Sequence, residues 1–203
     1  MERAEAVDRL RLLVGRDLVE LAESFGVTMW KGGRINKGWA GHTIERYLGL
    51  ALNSSRSPNF GSWELKVVPV RVLPDGTVRV KETMAITMID RVEVAAKEFP
   101  DTHVFAKLQR MVVVARVFES QSERQSICHK VAEFDLGNRD LYRQIEADYC
   151  FIRDVVRTRG FDSLSGKMGV LMQPRTKGPG HGSTSRAFYA RKPLVGRILG
   201  IRS

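Results

Sequence analysis

The chain has 203 residues, of which 43% are hydrophobic and 28% charged. That composition suits a soluble protein with its own core and excludes a disordered or fibrous chain. Lys and Arg total 33 against 23 Asp and Glu, a net charge of +10, which favours a polyanionic partner such as nucleic acid over a merely solubilising surface. No run approaches the ~18 apolar residues of a membrane helix. The opening Met1-Glu2-Arg3-Ala4-Glu5 starts a charged helical pattern rather than a secretory signal, so a cytoplasmic location is expected. Two cysteines, Cys128 and Cys150, are too far apart for a zinc motif and are expected as free thiols. His42, His103, His129 and His181 show no metal-ligand spacing.

Along the chain, residues 4–14 carry Ala6, Val7, Leu10, Leu13 and Val14 at helical spacing and stop at Gly15. A second helix is expected from Asp17 to Phe25. Residues 31–38 form a basic, glycine-rich loop. A third helix is expected from Trp39 to about Leu52, with Ile44, Tyr47 and Leu48 inward and Glu45 beside them. The period then changes. Trp63–Leu73 and Val78–Met88 are expected as two strands of a hairpin around Pro74-Asp75-Gly76-Thr77. Met111–Val117 is expected as a buried strand, 119–130 as a loop and Arg139–Arg157 as a long helix. A strand over Met168–Gln173 precedes a basic loop, 174–182. A helix should follow Pro193. No repeat or linker interrupts the pattern, so 1–203 is expected as one domain. Its fold class is α/β in the mixed α+β sense, with a mostly antiparallel sheet.

The chemistry concentrates at Pro58-Asn59-Phe60-Gly61-Ser62-Trp63-Glu64-Leu65-Lys66. Phosphodiester hydrolysis requires a carboxylate-held metal, an activated water and neutralisation of developing negative charge. In a strand, residues i and i+2 share a face, so Glu64 and Lys66 project together. By itself Glu-x-Lys also fits a solvated strand face. The turn before it, the apolar opposite face of Trp63, Leu65 and Val67, and the upstream Glu45 favour a site.

Further blocks occur in order: Lys37-Gly38-Trp39-Ala40-Gly41 leading to Glu45, Leu48-Gly49, Lys81-Glu82-Thr83-Met84, His103 through Arg110, and Arg186 through Lys192. With these the chain resembles the MutH-type DNA endonucleases, namely the mismatch-repair nickase and the related GATC-type type II restriction enzymes, within the PD-(D/E)xK superfamily. The resemblance implies a restriction-endonuclease-like fold, in which helices flank a central mixed sheet beside a DNA-binding cleft. It also implies Mg2+ as cofactor and double-stranded DNA as partner. Catalytic positions carried over are Glu45, Asn59, Glu64, Lys66 and Lys107, of which Asn59, Glu64 and Glu45 would hold the metal. Asn59 departs from the family, which has an aspartate there, and implies a weakened or inactivated nuclease.

For DNA, the resemblance implies contacts from Lys37, Gly38, Arg175, Lys177 and Tyr189. Arg175 could read a guanine edge or simply hold a phosphate. Each residue has a plainer reading: Trp39 as core, Tyr189 as core packing, Lys107 as a surface lysine, Glu45 as an exposed helix residue. The leading expectation is a type II restriction endonuclease, which could act as a homodimer. The alternatives are a strand-nicking repair enzyme that awaits a mismatch-repair activator, or a catalytically dead DNA-binding module. All three imply a prokaryotic, nucleoid-associated protein. An RNA-binding protein with a chance Glu-x-Lys is the weakest reading.

Overall fold

The computed structural model describes residues 1–49, 58–177 and 184–201. Ser57, His181 and parts of the expected third helix and 174–182 loop fall outside them. The chain opens with α1 (Arg3–Arg11) and α2 (Leu18–Ser24). Ala6, Val7 and Leu10 bury one face of α1, and the Asp17 carboxylate caps α2 by accepting from Val19 N–H at 2.9 Å. The loop expected at 31–38 contains a small hairpin, β1 (Trp30–Lys31) and β2 (Arg34–Ile35). Next comes α3 (Trp39–Tyr47), with Trp39 and Ile44 fully buried.

The first large sheet contains β3 (Glu64–Val72), β4 (Val78–Val80), β6 (Arg110–Val117) and β7 (Cys128–Asp135), in the order β4-β3-β6-β7. The intervening β5 (Met84–Met88) belongs to a second sheet. Strands β3 and β6 run parallel and the outer pairs antiparallel, so the sheet is mixed rather than mostly antiparallel. A parallel central strand is covered on both faces and reads as an unbroken apolar run. In β6, Met111, Val113 and Ala115 join one core while Val112 and Val114 join the other. The second core lies under α1–α3 and includes Trp63 and Leu65.

The long second strand expected over 78–88 splits in two. After Val80 the chain leaves β3, and β5 pairs instead with β9 (Arg186–Ala190), which also pairs with β8 (Met172–Thr176). The expected loop 119–130 ends early, because β7 begins at Cys128. The expected 168–173 strand starts later, at Met172, and runs into the basic loop as far as Thr176. Before β6 lie α4 (Arg91–Ala96) and α5 (His103–Gln109), whose shortness leaves little periodic signal. The long α6 (Arg139–Arg159) and terminal α7 (Lys192–Leu199) complete the fold. Among the described residues no helix is long and apolar enough to cross a membrane. Both cysteines are free thiols.

Candidate active site

Three segments converge at the start of β3. The turn before it is held by Gly61 N–H to Pro58 O and Phe60 N–H to Trp63 O, with Gly61 at φ +76°, a conformation that favours glycine. Phe60 stacks on the buried Trp63 ring with centroids 3.8 Å apart. This folds Asn59 back so that its N–H donates to Glu64 Oε2 at 3.0 Å. The parallel pairing of β3 with β6 supplies the second segment. Glu64 sits opposite Met111, and α5 runs directly into β6, so the last turn of α5 delivers Lys107 beside Glu64. The third segment is α3, whose Glu45 accepts from Asn59 Nδ2 at 2.9 Å.

Glu64 has no exposed surface, and Lys107 is 7% exposed. Glu64 Oε1 accepts from Lys66 Nζ at 2.6 Å, and Lys107 Nζ lies 3.1 and 3.2 Å from its two oxygens. A buried carboxylate is tolerated only with such partners. Burial pushes the Lys66 ammonium below the ordinary lysine range; Glu64 opposes the shift, while Lys107 and Lys177 add to it. The last effect brings Lys177, just past the end of β8, within electrostatic reach of Lys66. Burial raises the Glu45 carboxyl above the ordinary glutamate range, with Glu64 adding to the rise and His42, Lys66 and the Asn59 hydrogen bond opposing it.

Among the described residues no group of three or more His, Cys, Asp or Glu could hold a metal. The available donors are two carboxylates and one amide. An ionised carboxylate only accepts hydrogen bonds, so the Asn59 NH2 must face Glu45 and its Oδ1 is turned away as a possible ligand. An all-oxygen set of this kind fits a hard divalent cation, with one negative charge fewer than an aspartate would give.

All five positions expected at the centre, Glu45, Asn59, Glu64, Lys66 and Lys107, therefore meet in one place. Lys107 is buried, not a surface lysine, and Trp39 is core. Lys37 and Gly38 lie at the start of α3, exposed. Arg175 and Tyr189 meet elsewhere, on the second sheet. The Arg175 guanidinium stands over the Tyr189 ring, 5.5 Å from its centroid, and donates to Thr83 Oγ1 at 2.9 Å.

A family model described as "DNA mismatch repair enzyme MutH" matches residues 48–148. The chain belongs to the MutH family. Members of this family are DNA endonucleases with a restriction-endonuclease-like fold and, like PD-(D/E)xK nucleases generally, use divalent metals. Among curated MutH proteins, "DNA mismatch repair protein MutH" of Haemophilus ducreyi is 27% identical over 221 residues, covering 97% of this chain and 92% of that protein. Proteins with the same name from Klebsiella pneumoniae (strain 342) and Shewanella sp. (strain MR-4) are each 25% identical, covering 93% and 86% of this chain and 87% and 77% of their own length. These MutH relatives carry a repair name, so the restriction-enzyme expectation gains no specific support from them.

Sequence reading missed two buried ionic clusters. Arg116 forms a two-pronged pair with Glu123 at 2.7 and 3.0 Å, and Glu123 also accepts from Trp39 Nε1 at 3.0 Å. Asp148, 3% exposed, accepts from the N–H groups of Val170, Leu171 and Met172 at 2.7 to 2.8 Å. Neither cluster has a recognisable sequence signature: Trp39 and Glu123 are 84 positions apart, and the three donors to Asp148 are backbone N–H groups.

Proposed function

We propose that this protein is a Mg2+-dependent nuclease that nicks one strand of duplex DNA in the manner of mismatch repair, with its activity attenuated by Asn59. The convergence of Glu45, Asn59, Lys66 and Lys107 on the buried Glu64 carries this reading. Glu64, Asn59 Oδ1 and Glu45 would hold the cation. When bound, it would polarise the scissile phosphate and ease deprotonation of the attacking water. Lys107, nearly buried, stays against Glu64 and limits its charge. Lys66 is the more exposed of the two lysines, with 20% of its side chain accessible. It is placed to leave Glu64 and donate to a phosphate oxygen or orient the water. Arg175 and Tyr189, braced against each other, would read bases, and Lys37, Gly38 and Lys177 would contact the backbone. In this reading residues 1–203 act as one endonuclease domain on cytoplasmic DNA and answer to a mismatch-repair activator. The relatives' repair name favours nicking over restriction cleavage by a homodimer.

The test is supercoiled plasmid with Mg2+, comparing the wild type and Asn59→Asp with Glu64→Ala and Lys66→Ala. Relaxed circles that appear faster with Asn59→Asp and never with the alanine variants support nicking. Discrete linear fragments would restore the restriction reading. An inert Asn59→Asp, in Mn2+ as well, would leave a DNA-binding module.

A further inference from the structure

The β1–β2 hairpin sets two exposed cations side by side. Gly32 and Gly33 have φ of +56° and +71°, the conformation a two-residue type I′ turn demands at both central positions. The register then places Lys31 directly opposite Arg34, and Trp30 opposite Ile35. Side chains alternate between the faces of a ribbon. Trp30 lines a hollow of about 430 Å³ with Val19, Val27 and Met29, and Ile35 packs on the core beneath α1–α3. Ile35 seats that face, while Trp30 remains 45% exposed at the rim of the hollow. Lys31 and Arg34 share the other face and are exposed. Like charges directly across a ribbon destabilise it. Among the described residues neither has a carboxylate within ion-pair reach.

A comparison within the same chain sharpens the point. Arg71 also lies opposite Arg79 on β3–β4. There Arg71 stands 5.8 Å from the Phe118 ring centroid. Among the described residues neither Lys31 nor Arg34 has a ring contact of that kind, so both cations are open to solvent or to an anion.

The hairpin is also tied to the active site. Asn36 Oδ1 accepts from Gly38 N–H at 3.1 Å, joining β2 to the start of α3. A side chain at Gly38 would meet the His42 ring at 3.3 Å, so glycine lets the loop close onto the helix. Glu45 lies seven residues beyond Gly38, about 10 Å along α3.

We propose that the β1–β2 hairpin is a phosphate clamp, in which Lys31 and Arg34, continuous with Lys37, grip the DNA backbone on the α3 side of the active site. This rests on the duplex-DNA reading above. The test is binding of a fluorescein-labelled duplex in metal-free buffer across a salt series, so that cleavage plays no part. The variants are Lys31→Ala/Arg34→Ala and the charge reversal Lys31→Glu/Arg34→Glu, with Arg71→Ala/Arg79→Ala as the comparison and thermal melts to confirm folding. The expected result is binding weaker by about tenfold or more, with the slope of log K against log salt reduced by about two and sequence preference unchanged. The β3–β4 variant should keep the wild-type slope. Wild-type affinity and slope in both hairpin variants would overturn the clamp and leave the nuclease reading intact. A wild-type protein that binds no duplex would overturn the duplex reading and the clamp together.

Discussion

Lys107 Nζ lies 3.1 and 3.2 Å from the two carboxylate oxygens of Glu64, across 43 positions of sequence. Both side chains are buried, and without Lys107 the Glu64 carboxylate keeps only Lys66 and the Asn59 N–H as partners. Lys107→Met should destabilise the fold by about 1–3 kcal/mol, because one of the two ammonium groups beside the buried Glu64 charge is lost. Adding Glu64→Gln to Lys107→Met should recover much of that loss. Urea unfolding of the two singles and the double measures the coupling, and additive losses would show that the contact carries no energy.

Asn59 separates metal affinity from architecture. Asn59→Asp should bind Mg2+ on the order of tenfold more tightly, since it adds a negative ligand. Without metal the same variant should melt at a lower temperature, because a third carboxylate joins Glu45 and Glu64. Added Mg2+ should raise its melting point more than the wild type's. Calorimetric titration checks the first effect and thermal melts the second. Equal affinities would remove position 59 from the ligand set.

Glu45 gives a pH signature. Its carboxyl is raised, so the folded protein holds that proton to higher pH than the unfolded chain does. The stability this contributes is fully present below the ordinary glutamate pKa, about 4.3, and is lost as pH rises through the raised value. Glu45→Gln, which cannot ionise, should therefore melt higher than wild type at neutral pH, and the gain should vanish toward pH 4. A difference in melting temperature that does not change with pH would contradict this.

Asp148 holds the entry to β8. Its carboxylate accepts from three consecutive N–H groups, and Gly169 precedes them at φ +75°, where an added Cβ would lie 1.8 Å from Met172 O. Asp148→Ala strands those donors and should cost about 3 kcal/mol or more. It should also weaken DNA discrimination through β8 while leaving Mg2+ binding at β3 near wild type. Loss of both together would mean the two sheets do not act independently.

On the second sheet, Arg175→Ala should relax base preference by about 1–3 kcal/mol at one position. Lys177→Ala should weaken binding to all sequences alike and lower the salt slope by about one. Binding to a panel of single-substituted duplexes distinguishes these roles. A uniform loss from Arg175→Ala would reassign it to the backbone.

Much of this was legible in the residues. Glu64 and Lys66 share a face because strands have a period of two, and the apolar run of β6 announced a strand covered on both sides. The turn at 74–77 set a local boundary, and the excess of basic residues pointed to a polyanionic partner such as nucleic acid. The ordered blocks, taken as a resemblance, placed Glu45, Asn59 and Lys107 at the centre. Tertiary structure decided the rest. Whether 78–88 is one strand or two depends on β9, which lies nearly a hundred residues downstream. That Lys107 is buried on Glu64 depends on parallel pairing of β3 with β6. That neither Lys31 nor Arg34 has an ion-pair partner among the described residues shows only once their neighbours are placed. Local spacing fixes which side chains share a face, because it follows from backbone geometry. Which distant side chains meet, and which charges stay unpaired, is set by packing across the whole chain.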